Sequence, residues 1–335
     1  MKKTVTTILI GLLACACTKD IEYRGSDSGP ILVANSMNRA GDTAYLRLTR
    51  STFFLEPRTA AAAVTDADVS MTIDGVSRRL TYDSATMRYA DVRTLQPGSV
   101  VSISASHPEY GSITATDTVP QQIEWSVDTF YRPFAMNGVS IDTIYYQGLD
   151  IGSIDSVCVF DLSLLKGESS NRYFQLEFDP YSTVVMWNGI TTDTIHLPLS
   201  YRLPTGTMIA VEMLDTANSF IDMMDLIPVI CTGAHSFTFT DRQLSDTTHF
   251  EFEILRESLD SLFNMPTVRA EFSVRYSVRS MSLATYTYQK SVRKFMNQSG
   301  IMSEPVTLWT NIQGDGTGIL GTYVERRDSM SLARY

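Results

Sequence analysis

Metal or acid–base chemistry would have to start from four histidines, His107, His196, His235 and His249, spread over a chain of 335 residues. A zinc site needs three or four ligands that converge, and local spacings such as HExxH or CxxC are what usually supply them. Neither spacing occurs. A nucleophile would need an activating partner. Ser291-Val292-Arg293-Lys294 fits SxxK, in which the lysine could take the serine proton, but its companion motifs are missing and no GxSxG elbow is present. The tetrapeptide reads as a solvated helix face. Gly316, Gly318 and Gly321 fit GxGxxG, the loop that cradles a pyrophosphate. That loop must be followed by a helix and a second strand, and only 14 residues follow Gly321. A tight turn entering a last strand, packed in the C-terminal domain, is the reading that fits the space. The sequence points to no catalytic residue, no metal and no cofactor, hence not to an enzyme.

Binding needs only surface. Aromatic rings give contact area at low entropic cost. The ligand-binding candidates are Tyr131, Tyr145 and Tyr146, beside a loop-like segment at Arg132–Ile141, and Trp187 at the shoulder of an Asn188-Gly189 hairpin turn. Cys158 and Cys231 each lie in an apolar, strand-like run. A disulfide and two buried thiols are both open to them.

The N-terminus has the form of an export signal. Lys2 and Lys3 precede the short apolar run Ile8-Leu9-Ile10-Gly11-Leu12-Leu13. Ala14-Cys15-Ala16-Cys17 follows, in the manner of a bacterial lipobox with acylation at Cys17 or, alternatively, Cys15. Residues 1–16 are then the signal peptide and 17–29 a flexible, polar tether. Loss of Lys2 and Lys3 with the signal carries the formal charge from −10 to −12. Several acyl chains hold a protein stably on a bilayer. Beyond the signal, no apolar run reaches the ~18–20 residues of a spanning helix.

The elements that would position any site are strands. Charged residues are only 19%, hydrophobic ones 44%, and 37 acids outnumber 27 bases. This supports real cores and excludes the basic surface of a nucleic-acid protein. From Ile31 to Thr118, seven short runs alternate with period two between turn signals such as Asp74-Gly75 and Pro97-Gly98. That is the pattern of an immunoglobulin-like β-sandwich over residues 30–120, with Val119-Pro120 as its boundary. A larger β-rich domain over 121–335 follows, with a helix at 282–297 whose Tyr288, Val292, Phe295 and Met296 share a face, and a shorter helix at 217–226. The fold class is mainly β.

The order of these segments resembles the Bacteroidota lipoprotein family catalogued as domain of unknown function 4249. The likeness rests on Leu46-Arg47-Leu48-Thr49-Arg50-Ser51, Leu95-Gln96-Pro97-Gly98, Val119-Pro120, Asn171-Arg172-Tyr173-Phe174 and Phe239-Thr240-Asp241. It closes on the run from Asn311 to Gly321. Lys19-Asp20-Ile21-Glu22 is similar to the acidic stretch that sends such lipoproteins to the cell surface. The resemblance implies an outer-membrane lipoprotein encoded beside a TonB-dependent transporter, with no established reaction. The expected role is a non-catalytic accessory or ligand-capture partner of that transporter. The alternative is an adhesin or fimbria-associated structural protein.

Overall fold

The computed structural model describes residues 29–52, 62–133, 145–146, 149–150, 156–165, 173–187, 191–203, 229–240, 247–255, 268–296 and 307–332. The signal, the tether with Cys15 and Cys17, most of the segment after Pro133, the Asn188-Gly189 turn and the 217–226 helix lie outside them.

The first seven strands are β1 (Leu32–Arg39), β2 (Thr43–Arg50), β3 (Asp68–Ile73), β4 (Val76–Asp83), β5 (Arg88–Thr94), β6 (Val100–His107) and β7 (Gly111–Thr118). All seven expected runs form strands, because each alternates apolar and polar residues and can bury one face. Two layers result. β4 joins them: Val76–Leu80 pair with β3, while Thr81–Asp83 pair with β5. Leu46, Leu48, Val69, Met71, Tyr89, Val101 and Ile103 fill the core between. The inward face of β1 turns polar at Ser36 and Asn38. Asn38 bonds the Ser36 hydroxyl at 2.8 Å and accepts from the Tyr45 amide at 2.9 Å, where the β2–β5 register shifts.

The second part contains β8 (Glu124–Pro133), the small pair β9 (Tyr145–Tyr146) and β10 (Leu149–Asp150), β11 (Ser156–Leu165), β12 (Tyr173–Trp187), β13 (Thr192–Pro198), β14 (Ser200–Leu203), β15 (Val229–Thr232), β16 (His235–Thr240), β17 (Thr247–Leu255) and β18 (Val268–Met281). Helix α1 (Leu283–Met296), β19 (Gln313–Gly314) and β20 (Thr317–Ser331) complete the chain. One sheet, in the order β15-β14-β17-β11-β8, faces another formed by β13, β12, β18 and β20, with β16 also on β12. Between them lies an aromatic core in which Phe178 stacks on Phe252 at 4.0 Å and touches Phe160 and Tyr201.

β20 belongs to both parts. Thr317–Tyr323 pair in parallel with β1, and Tyr323–Ser331 pair antiparallel with β18. Ile312, Leu320 and Val324 are buried in the first core. Pro120 therefore marks where the chain first leaves that core; residues near the C-terminus return to finish it. The Gly314–Gly321 turn packs in the first part, contrary to its expected place in the second. A Cβ on Gly318, whose φ is +121°, would lie 1.8 Å from the Ala34 carbonyl oxygen, and one on Gly316 would lie 2.5 Å from that of Leu32. Glycine is required by the close approach of β1.

Ser282 caps α1 by accepting the Thr285 amide at 3.1 Å, and Thr285 donates to the Thr322 carbonyl at 2.9 Å. The helix buries only Ala284 and Thr285. Phe295 and Met296 are exposed, so the apolar face read from its spacing is not a buried one at this end.

Candidate functional site

The folded chain assembles chemistry that no local spacing announced. Ser163 and Asp161 lie two apart on β11, on one face, and His249 on β17 stands opposite Ser163. The His249 Nδ1 is 2.9 Å from the Ser163 hydroxyl and 3.0 Å from Asp161 Oδ2. A catalytic triad needs the serine on one ring nitrogen and the carboxylate on the other, so that the imidazole relays the proton between them. Here both compete for the same nitrogen. The cluster is a cross-strand polar contact.

The other histidines are apart from it and from each other. His107 stacks on Tyr110 at 4.4 Å with Nε2 3.2 Å from Asp66. His196 meets the Thr183 hydroxyl at 3.1 Å, and His235 meets the Gly233 carbonyl at 3.1 Å. Among the described residues no three His, Cys, Asp or Glu side chains come together as a metal would require. Cys158 and Cys231 are not joined in a disulfide. Burial pushes the Cys231 thiol up, against a hydrogen bond with Tyr201.

Charge is organised on the two sheets. On the five-stranded sheet, Glu253 binds both Arg132 and Arg202, and Arg132 also reaches Glu251 at 2.8 Å. Glu253 and Arg202 are buried. Burial works against the Arg132 charge, and Glu253 outweighs it. Arg132 thus sits in a strand and in a salt-bridge network, whereas the sequence put it in a loop open to a partner.

On the other sheet, residues 177–179 of β12, 275–277 of β18, 327–329 of β20 and 234–236 at the start of β16 line a groove of about 760 Å³. Asp179 and Arg275, paired in register, form a salt bridge of 2.6 Å. Arg279 lies 2.8 Å from Glu177 and 2.5 Å from Glu325, whose side chain is 0% exposed and also 2.7 Å from Arg327 Nε. Glu325 holds Arg327 more firmly in its charged form. Ser277 donates to Glu177 at 3.2 Å, and Arg275 lies over the Tyr181 ring at 4.4 Å. The only sequence signal for this row was the period-two pattern of each strand. Which strands are neighbours was not legible.

The aromatic candidates do not converge on that groove. Tyr131 on β8 packs against the aromatic core from the opposite sheet. Tyr145 and Tyr146 form the small separate ladder with Asp150 and Leu149. Trp187 ends β12 opposite Thr192.

A family model described as Domain of unknown function (DUF4249) matches residues 18–329. The chain belongs to this family. A search of curated proteins found no match. The matched DUF4249 span takes in both cores, all of β19 and most of β20, so the family's unit is the double structure and not either half. The C-terminal glycine run of this chain has a physical role. Asn311 donates to the Leu320 carbonyl at 2.8 Å and accepts the Leu320 amide at 3.0 Å, which clamps the turn that delivers β20 to β1. At the same N-terminal end of β1, the Ser51 hydroxyl accepts the Ile31 amide at 2.9 Å.

Proposed function

We propose that this DUF4249 protein is a lipid-anchored, non-catalytic outer-membrane protein of Bacteroidota type that captures a ligand for a TonB-dependent transporter or shapes its mouth. The observation that carries the reading is the run from Lys2 to Cys17: two cations, a short apolar stretch and cysteines after small residues. The polar tether and Lys19-Asp20-Ile21-Glu22 support a cell-surface address. The arrangement of Ser163, His249 and Asp161 fits a non-catalytic reading, since hydroxyl and carboxylate share one imidazole nitrogen and the ring does not bridge them. Among the described residues, no helix is long and apolar enough to cross a membrane.

The test replaces Cys15 and Cys17 by Ser, singly and together, and follows acyl labelling and membrane fractionation. Cys17→Ser is expected to abolish labelling and release the protein. Purification in mild detergent through a C-terminal tag is expected to bring down a large outer-membrane barrel. A doubly substituted protein that stays labelled and membrane-bound refutes the anchor.

One observation favours the adhesin alternative. Among the described residues, β13 ends its sheet, pairs only with β12, and is exposed at every residue from Thr192 to Pro198. A free strand edge of that kind accepts a further strand. Recovery of fimbrial subunits in place of a barrel would decide for it.

A further inference from the structure

We propose that the groove over Glu177, Asp179, Arg275, Ser277 and Arg327 is a binding site for a neutral saccharide. This names the ligand class for the capture role above and rests on that reading. The volume of about 760 Å³ falls in the range of small-ligand sites, about 300–1,000 Å³.

The lining decides the class. Its acids are Glu177, Asp179 and Asp328 and its cations Arg275 and Arg327, with His235 at the rim, so opposite charges nearly cancel. An anionic or cationic ligand would find no field to draw it. What the pairs do offer is donors and acceptors side by side in fixed geometry. Asp179 is held by Nε and Nη2 of Arg275, and Glu325 takes Nε of Arg327. Among the described residues, Nη1 of Arg275 and both terminal amino groups of Arg327 have no hydrogen-bond partner, and these side chains are 61% and 62% exposed. Ser236, Ser277 and Ser329 add hydroxyls. A sugar hydroxyl donates and accepts at once, so it needs both kinds of group within reach. The carbon stems of the arginines and the exposed Ala234 give the sugar's C–H faces apolar contact.

Pairing also reduces the cost of ordering the polar side chains, because the salt bridges fix them before the ligand arrives.

The experiment uses the chain from Thr18 to Tyr335. Calorimetry is run with maltohexaose, cellohexaose, xylohexaose and mannohexaose, and with oligogalacturonate as the acidic comparison. At least one neutral oligosaccharide is expected to bind, with affinity little changed by salt. Arg275→Gln and Arg327→Gln should each weaken it about tenfold or more, as the loss of a charged donor implies. Lys290→Gln, outside the groove, should leave it unchanged. Thermal melts check folding. Should Arg327→Gln unfold, Arg275→Gln still tests the site, since its salt bridge with Asp179 is an exposed one. Binding of none of the neutral probes, binding of oligogalacturonate alone with steep salt dependence, or neutral binding indifferent to Arg275→Gln would each overturn the proposal. Acyl labelling and barrel recovery are read separately, so a failed groove is distinguishable from a failed anchor or transporter partnership.

Discussion

Residues 29–120 contain seven strands of a sandwich and should not fold alone. The fragment lacks Ile312, Leu320 and Val324, which are 8%, 0% and 6% exposed within the first core. Full burial of one such side chain contributes about 1.5–3 kcal/mol, so the three together are worth about 5–9 kcal/mol. This is an upper figure, because a real unfolded chain already hides some apolar surface. The fragment also leaves β1 with an open edge where seven residue pairs to β20 should be. Whole domains are stable by only about 5–15 kcal/mol, so the deficit takes most of what is available. The assay compares two proteins by circular dichroism and thermal melting. One is residues 29–120; the other carries residues 307–324 joined after Pro120 by a flexible Gly/Ser linker. The first should show no cooperative transition and the second should regain one. A fragment that melts cooperatively within a few degrees of the extended form would refute the shared core.

Gly318→Ala should cost the full chain more than Gly41→Ala. Both have positive φ, but only Gly318 faces backbone, so Gly41→Ala should cost about 1 kcal/mol and Gly318→Ala about 3 kcal/mol or more by urea titration. Glu253→Gln leaves Arg202 buried without its full countercharge and should cost about 3–5 kcal/mol, with part recovered when Arg202→Met is added; a shift under about 1 kcal/mol would remove the network's structural role. Asp117 accepts from the Thr322 hydroxyl at 2.8 Å, and burial, outweighing hydrogen bonds from Ser282 and Thr322, pushes its carboxyl up. The folded protein then holds this proton more tightly than the unfolded one. Its contribution is full below the ordinary carboxylate value near ~3.9 and is lost as pH rises through the raised value. Asp117→Asn should therefore flatten that part of the stability–pH curve without costing stability at neutral pH, and an unchanged slope would contradict the burial argument.

Several features were legible in the sequence for definite physical reasons. Alternation with period two shows in a strand's own residues, so the seven strands of the first sandwich and runs such as Val157–Leu165 could be read directly. The helix could be read as well, since Ser282 and the basic Arg293 and Lys294 are local end signals. The glycine turn and its following strand were also visible, but not their destination. A parallel partner almost three hundred residues earlier leaves no mark on local periodicity, and the close approach that demands Gly318 is made by the backbone of Ala34. The same limit governs the sites. The absence of HExxH, CxxC and GxSxG is a statement about neighbours in sequence and was complete from the start. The meeting of Ser163 with His249, or of Asp179 with Arg275 and Glu325 with Arg279, depends on which strands share a ladder and in what register. Residue type and spacing determined that this chain would build β-sheets with one charged face. Long-range pairing, through a last strand that closes one core and lines the outer face of another, decided where that face would gather into a groove.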